Sequence, residues 1–291
     1  MKFVKMHGLG NDFIILDDTD HRQKNGREGF ETEKHCCEES ELSPELVRHF
    51  CDRHRGIGAD GVIRVCNAEH PQADFRMKLY NADGSPAKMC GNGIRCLGKY
   101  VYDHGKTEKV NLLIETDAGL YRLQLIKKED TDRICSVRVD MGTPEFVPEH
   151  ISARFLLFRP VCVSMGNPHA IVYLDKNVDL KAFELEKIGP MFENHPAFPD
   201  RVNTEFIQVC DSENLNMRVW ERGSGETFAC GTGACASLVA TVLNGLCDDT
   251  ATLHLLGGDL KITWDKKENT VYMEGPAETV FTGEWQLKEE N

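Results

Sequence analysis

A segment of this chain occurs twice, 140 residues apart, and the duplication limits the available folds more than any other feature. Asp74–Cys96 reads DFRMKLYNADGSPAKMCGNGIRC, and Asn214–Cys235 reads NLNMRVWERGSGETFACGTGAC. At the constant offset of 140, Met77 aligns with Met217, Lys78 with Arg218, Leu79 with Val219 and Tyr80 with Trp220. Cys90 aligns with Cys230, and Gly91 and Gly93 with Gly231 and Gly233. A shorter likeness links Gly10-Asn11-Asp12-Phe13 to Gly166-Asn167-Pro168-His169, each followed by an apolar run. Self-similarity at a fixed offset marks a repeated architecture. An offset near half of the 291 residues predicts two similar halves facing each other, with a site in the cleft between them.

Both copies share one local logic. Phe75–Tyr80 and Leu215–Trp220 alternate as strands do, and each runs through a Gly/Ser-rich turn to its cysteine. Past Cys90, Ile94, Leu97 and Val101 recur at helical spacing, with Gly105 as a stop. Past Cys230, Ala234–Leu243 is apolar on nearly every side, which predicts a buried helix ended by Asn244-Gly245. Ser43-Pro44-Glu45 predicts a further helix start. Asp265–Asn269 predicts a hairpin turn between Leu260–Trp264 and Thr270–Glu274. The polar stretch Thr19–Glu41, which contains Cys36 and Cys37, reads as a surface loop. The expected division is an N-terminal half over 1–134 carrying Cys90 and a C-terminal half over 135–291 carrying Cys230. The final strand can return to the N-terminal half.

A net charge of −13 argues against nucleic acid or an anionic membrane as partner, because both need basic surface. No apolar run approaches the length of a membrane span, and MKFVKMHGLGNDF lacks the apolar core of a secretory signal. The expected location is the cytoplasm, where the twelve cysteines would be thiols. No Cys-x-x-Cys occurs, so spacing gives no zinc site. Two cysteines stand apart, because each opens a helix in a Cys-Gly-x-Gly unit. A helix start carries partial positive charge and unpaired N–H groups, which favour thiolate and can cradle a carboxylate. Two such units in opposed halves suit a two-base inversion: one thiolate removes an α-proton and the opposite thiol delivers one to the other face.

The sequence resembles the diaminopimelate epimerase family along most of its length. The resemblance rests on KMHGLGNDFIILDD (5–18), RHRGIGADGVI (53–63), NADGSPAKMCGNGIRC (81–96), SMGNPHAIVYL (164–174), RVNTEFIQV (201–209) and ERGSGETFACGTGA (221–234). It implies two pseudo-symmetric halves, each a curved, mostly antiparallel sheet or barrel around a central helix, in the mixed α/β (α+β) class. It implies interconversion of LL- and meso-diaminopimelate, in lysine and peptidoglycan biosynthesis, with no pyridoxal phosphate, metal or other cofactor. By the same resemblance Cys90 and Cys230 are the acid/base pair, with His169 and Glu221 setting their protonation. The substrate would be held by Asn11, Asn81, Gly91, Asn92, Asn167, Asn203, Glu221, Arg222, Gly231 and Thr232. A distal carboxylate suits Arg222, and a distal ammonium suits Glu221.

The expected partner is thus the small-molecule substrate diaminopimelate, with a homodimer left open. Two departures from the family pattern stand out: Thr19–Glu41 is long, and Gly61 stands where many members carry a side-chain amide. The rival readings are a proline or hydroxyproline racemase, which usually resembles Cys-Gly-His-Gly at the first cysteine, and a non-enzymatic thiol sensor. This chain has Cys90-Gly91-Asn92-Gly93.

Overall fold

The fold is known from a computed structural model that describes residues 1–19, 41–146 and 160–286. The chain divides into two compact units, Met1–Val137 with Pro276–Asn291, and Arg138–Gly275.

The first unit contains β1 (Lys2–Gly8), β2 (Asn11–Asp17), α1 (Pro44–Cys51), β3 (Gly61–Cys66), β4 (Phe75–Asn81) and β5 (Pro86–Ala87). Then come α2 (Gly91–Asp103), β6 (Asn111–Thr116), β7 (Gly119–Lys127) and β8 (Ile134–Asp140), the last running past the boundary. The second unit contains β9 (Glu145–Phe146), β10 (Val161–Ser164), β11 (Pro168–Tyr173), α3 (Leu185–Glu193), β12 (Asn203–Val209), β13 (Asn214–Glu221) and β14 (Gly225–Glu226). It continues through α4 (Gly231–Leu243), β15 (Thr250–Leu255), β16 (Gly258–Asp265) and β17 (Thr270–Gly275). Finally β18 (Glu278–Glu284) belongs to the first unit, where it pairs antiparallel with β1.

Strand pairing repeats between the units. In the first, β1–β2 is antiparallel, β2 runs parallel to β3, β3–β4–β5 is antiparallel, and β4 runs parallel to β6, which turns back into β7. In the second, β10–β11, β11–β12, β12–β13–β14, β13–β15 and β15–β16 follow the same sequence of directions. The architecture is mixed α/β with mostly antiparallel pairing, as expected.

Local chemistry explains the elements that carry the site. Ser43 caps α1 by accepting from the Leu46 N–H at 3.2 Å, with Pro44 at the first helical position. Both α1 and α2 pack on β3, which is buried along its whole length, and both α3 and α4 pack on β12. Strands covered in this way lose polar alternation and read as GVIRVC and NTEFIQV. Val47 and Phe50 of α1 join Phe3, Ile14, Val62 and Tyr80 in one core cluster. Burying each large apolar side chain contributes about 1.5–3 kcal/mol. Helix α4 is buried on nearly all sides and ends at Asn244, as its composition predicts. β16 and β17 form the expected hairpin, with Asp265 opposite Thr270.

One expectation fails here: Cys66 is disulfide-bonded, so not every cysteine is a thiol. Cys36, Cys37 and nearly all of the Thr19–Glu41 stretch lie outside the described residues. Among the described residues no helix is long and apolar enough to cross a membrane.

Candidate active site

Each cysteine of the repeat is the N-cap of its unit's long helix. Cys90 precedes α2 with extended backbone (φ −142°, ψ 123°), and Cys230 precedes α4 with φ −114° and ψ 111°. The strand and turn before each helix place the sulfur at the helix mouth. Gly93 and Gly233 then keep the first turn open. A Cβ on Gly93 would meet Ile63 Cδ1 at 2.9 Å, and one on Gly233 would meet Glu205 Oε1 at 2.4 Å.

In the first unit, Cys90 Sγ donates to Asn11 Oδ1 at 3.6 Å, and Asn92 Nδ2 donates to the same oxygen at 3.3 Å. Asn11 Nδ2 is committed to Asp60 Oδ2 at 2.9 Å, which aims the amide oxygen at the thiol. Asp60 in turn accepts from Arg53 at 2.9 Å, and Arg53 grips Asp12 through two bonds of 3.0 and 2.7 Å. Burial opposes ionisation of Asp12, but Arg53 and Lys5 outweigh it and hold the carboxyl well below the usual carboxylate range. Behind Asn92 sits Arg95, a fully buried cation that donates to Asn92 Oδ1 at 2.8 Å, Gly91 O at 3.1 Å and Pro276 O at 3.2 Å. Asn81, at the end of β4, is exposed and donates to Ser85 Oγ at 3.0 Å.

In the second unit, Cys230 is buried, and Sγ accepts from the Gly233 N–H at 3.4 Å and contacts Thr232 Oγ1 at 3.5 Å. Asn167 Nδ2 donates to Thr232 Oγ1 at 3.3 Å, while its Oδ1 faces His169 Nε2 at 3.1 Å. His169 Nδ1 meets Glu205 Oε1 at 2.7 Å. Glu221 accepts a short bond from the Thr227 hydroxyl, and burial pushes its carboxyl up. Asn203 Oδ1 accepts from the Arg222 backbone N–H at 2.9 Å; the exposed Arg222 side chain rests on Asp200 O at 2.9 Å.

The structure therefore gathers Asn11, Cys90 and Asn92 in one set, and Asn167, His169, Cys230 and Thr232 in another. Asn203 and Arg222 are joined at the backbone. Sequence reasoning expected the helix start to favour thiolate at both cysteines. At Cys230 the opposite holds: burial pushes the thiol well up, Glu221 and Glu205 push it further, and the Thr232 and Gly233 donors recover only part. Glu205, Arg95 and the Asp12–Arg53–Asp60 group were not singled out from sequence. The available signal was a lone charge inside an otherwise buried pattern, Glu205 in NTEFIQV and Arg95 in the α2 core face. Among the described residues, a ring nitrogen of His169, a carboxylate oxygen of Glu205 and Sγ of Cys230 lie within 4.8 Å of one another.

The profile of the family described as diaminopimelate epimerase matches residues 3–147 and 161–280. A diaminopimelate epimerase from Acetivibrio thermocellus is 48% identical, the match covering 99% of this chain and 100% of that protein. One from Methanococcus maripaludis is 46% identical, over 98% of this chain and 99% of that protein. Among solved structures, a hydroxyproline epimerase from Agrobacterium vitis superposes with a TM-score of 0.67 at 16% identity, covering 97% of this chain and 90% of that one. A PhzF-family phenazine biosynthesis protein from Bacillus anthracis gives 0.65 at 16%, covering 99% of each chain. These two share the fold. With the family profile spanning nearly the whole length and relatives this similar, the chain belongs to the diaminopimelate epimerase family and is an isomerase of the epimerase type.

Proposed function

We propose that the chain epimerises LL-diaminopimelate to meso-diaminopimelate by a two-base mechanism on Cys90 and Cys230, without an organic cofactor or metal. The observation that carries this reading is the equivalent placement of two thiols, each the N-cap of a long buried helix opened by Gly-x-Gly. One sulfur, as thiolate, takes the α-proton, and the electron pair is left on the α-carbon and its carboxylate. The other sulfur, as thiol, gives a proton to the opposite face and becomes thiolate. The reaction is then balanced, with no net proton gained or lost.

Environment suits the division of roles. Cys230, held protonated by burial and two carboxyls, suits the acid for one direction of turnover. The partial positive charge at the starts of α2 and α4 suits the α-carboxylate, whose charge grows in the transition state. Asn81, Asn203, Glu221 and Arg222 would hold the distal amino-acid end, with Asn11 and Asn167 lining the reacting end. A site that pairs both distal groups rejects substrates lacking them. Product and substrate both belong to lysine and peptidoglycan precursor supply.

Proton exchange in deuterated water tests the reading. LL-diaminopimelate should acquire solvent deuterium at one α-carbon, with no added pyridoxal phosphate and no loss on treatment with chelator. Activity that depends on restoring a cofactor or metal after dialysis would overturn it.

A further inference from the structure

The two units differ at one matched position. In the first, Phe13 stands opposite Gly61 in the parallel β2–β3 pair, and Ile63 lies two residues on. In the second, His169 stands opposite Asn203 in the parallel β11–β12 pair, and Glu205 lies two residues on. Phe13 and Ile63 are the side chains a Cβ on Gly93 would meet, at 3.6 and 2.9 Å; Glu205 is what a Cβ on Gly233 would meet. An apolar pair thus backs the Cys90 helix, and a His–Glu pair backs the Cys230 helix. Both members of the latter have side chains at 0% exposure, and Glu205 Oε2 has no hydrogen-bond partner. Burying such a pair costs stability relative to apolar packing. Packing alone therefore does not account for Glu205.

Hydrogen-bond polarity limits where the protons are. Asn167 Nδ2 donates to Thr232, so Asn167 Oδ1 faces His169 Nε2 and can only accept. Nε2 therefore carries a hydrogen. The 2.7 Å contact between His169 Nδ1 and Glu205 Oε1 needs one more, held on either atom. The pair keeps zero net charge in both arrangements, but the proton's position decides whether the imidazole is cationic. A nitrogen of that ring lies within 4.8 Å of Cys230 Sγ.

We propose that Glu205 is a positioning residue acting through His169: it keeps a proton in the pair, which moves onto Nδ1 when Cys230 loses its own and returns when the sulfur is protonated again. As Sγ gives its proton to the substrate carbanion, the Glu205 O–H proton passes to His169, leaving beside the new thiolate an imidazolium whose charge outweighs the push of the Glu205 carboxylate on the sulfur. Atoms and charge balance within the site. Among the described residues, the titratable groups that act on the pair from the elements around it include Cys162 on β10, Glu221 at the end of β13 and Cys230 itself. None of these can bond Nδ1 in place of Glu205 while that 2.7 Å contact stands. This inference rests on the reading of Cys230 as an acid/base residue.

Glu205→Gln is the test, because the Gln amide can donate to Nδ1 and keep the ring in place but has no proton to transfer. Two measurements are made: turnover of diaminopimelate, and iodoacetamide alkylation of Cys230 in the substrate-free protein, read by peptide mapping across pH. The expected result is kcat about tenfold lower with KM within about twofold, and Cys230 alkylation about tenfold slower at pH 8, with Cys90 alkylation unchanged. Glu205→Asp, which still has a proton to share, should fall closer to wild type in both. Unchanged Cys230 alkylation in folded Glu205→Gln overturns the proposal, as does Glu205→Asp proving the more impaired variant. Slowed alkylation with normal turnover upholds the coupling and instead removes Cys230 from the chemistry. A measurement on the wild-type protein is independent of how the variants fold. The shared proton should give a far-downfield His169 Nδ1 resonance, and its absence also overturns the proposal.

Discussion

Trp220 Nε1 donates to Glu193 Oε2 at 2.7 Å, tying the end of β13 to the end of α3. The other oxygen of the same carboxylate accepts from the Gly223 N–H at 2.8 Å and from Arg201 at 3.0 Å, so one buried side chain holds the turn that carries Arg222. Burial opposes ionisation of Glu193, yet these donors win and its carboxyl lies below the ordinary 4.5. A depressed carboxyl contributes stability above its unfolded pKa, and that contribution is lost as pH falls through the folded value. Glu193→Ala should cost about 1.5–3 kcal/mol in urea unfolding at pH 7. The cost should shrink toward pH 3, and KM should rise because Arg222 loses its support. An undiminished cost at pH 3 would count against a charge-based role.

Cys90→Ala and Cys230→Ala should each abolish epimerisation, because a relay needs both a donor and an acceptor of the proton. Cys247→Ala and Cys135→Ala should leave turnover near wild type, since neither lies at a helix start. Near-normal epimerisation in Cys90→Ala or Cys230→Ala would sink the two-base assignment.

The two helix-opening glycines should respond differently to alanine. At Gly93 the added Cβ crowds the flexible end of Ile63, with Cys90 and Phe13 at ordinary contact distance, and alanine's better helix propensity, about 1 kcal/mol, offsets the crowding. At Gly233 it would lie 2.4 Å from Glu205 Oε1, which cannot move away without leaving His169. Gly93→Ala should unfold within about 1 kcal/mol of wild type, and Gly233→Ala should lose about 1–3 kcal/mol. Equal losses would show that the Glu205 carboxyl is free to shift.

Alkaline pH should destabilise the protein before most lysines titrate. Burial pushes the thiol of Cys51 up to about 11 and that of Cys96 up to about 12, and it also raises Cys230. In the unfolded chain these thiols ionise near about 8.5. Their contribution is complete below that value and falls as pH rises toward the folded values, because the native state then binds more protons than the unfolded one. Urea midpoints should be flat from pH 7 to 8 and drop between pH 9 and 11. Cys96→Ala should start lower but fall less steeply; an equal slope would exclude Cys96 from the effect.

Much of this was legible in the sequence because it is local. The strand–turn–cysteine–helix segment recurs as β4–α2 and β13–α4, and Ser43-Pro44 does open a helix. Glu205 was not legible, because its meaning depends on β11 and β12 pairing in parallel and bringing residues 169 and 205 together across α3. The same holds for Arg53, whose partners Asp12 and Asp60 are joined by the β2–β3 pairing. Helix α3 had no start signal to read: its N-cap, Glu184, makes no capping bond, and Pro190 lies inside it. Tertiary packing, with Gly189 lying against the Trp220 ring, compensates for what propensity lacks.

The return of β18 to β1 has a consequence for biosynthesis. Lys2 is registered opposite Glu284, so β1 leaves the ribosome long before its partner strand β18. The second unit is continuous in sequence and can acquire all its strand partners beforehand. During that delay the edge of β1 offers unpaired backbone groups to any strand nearby, a hazard for domain swapping and aggregation. Truncation within 278–284 should therefore sharply reduce the yield of native protein in cells.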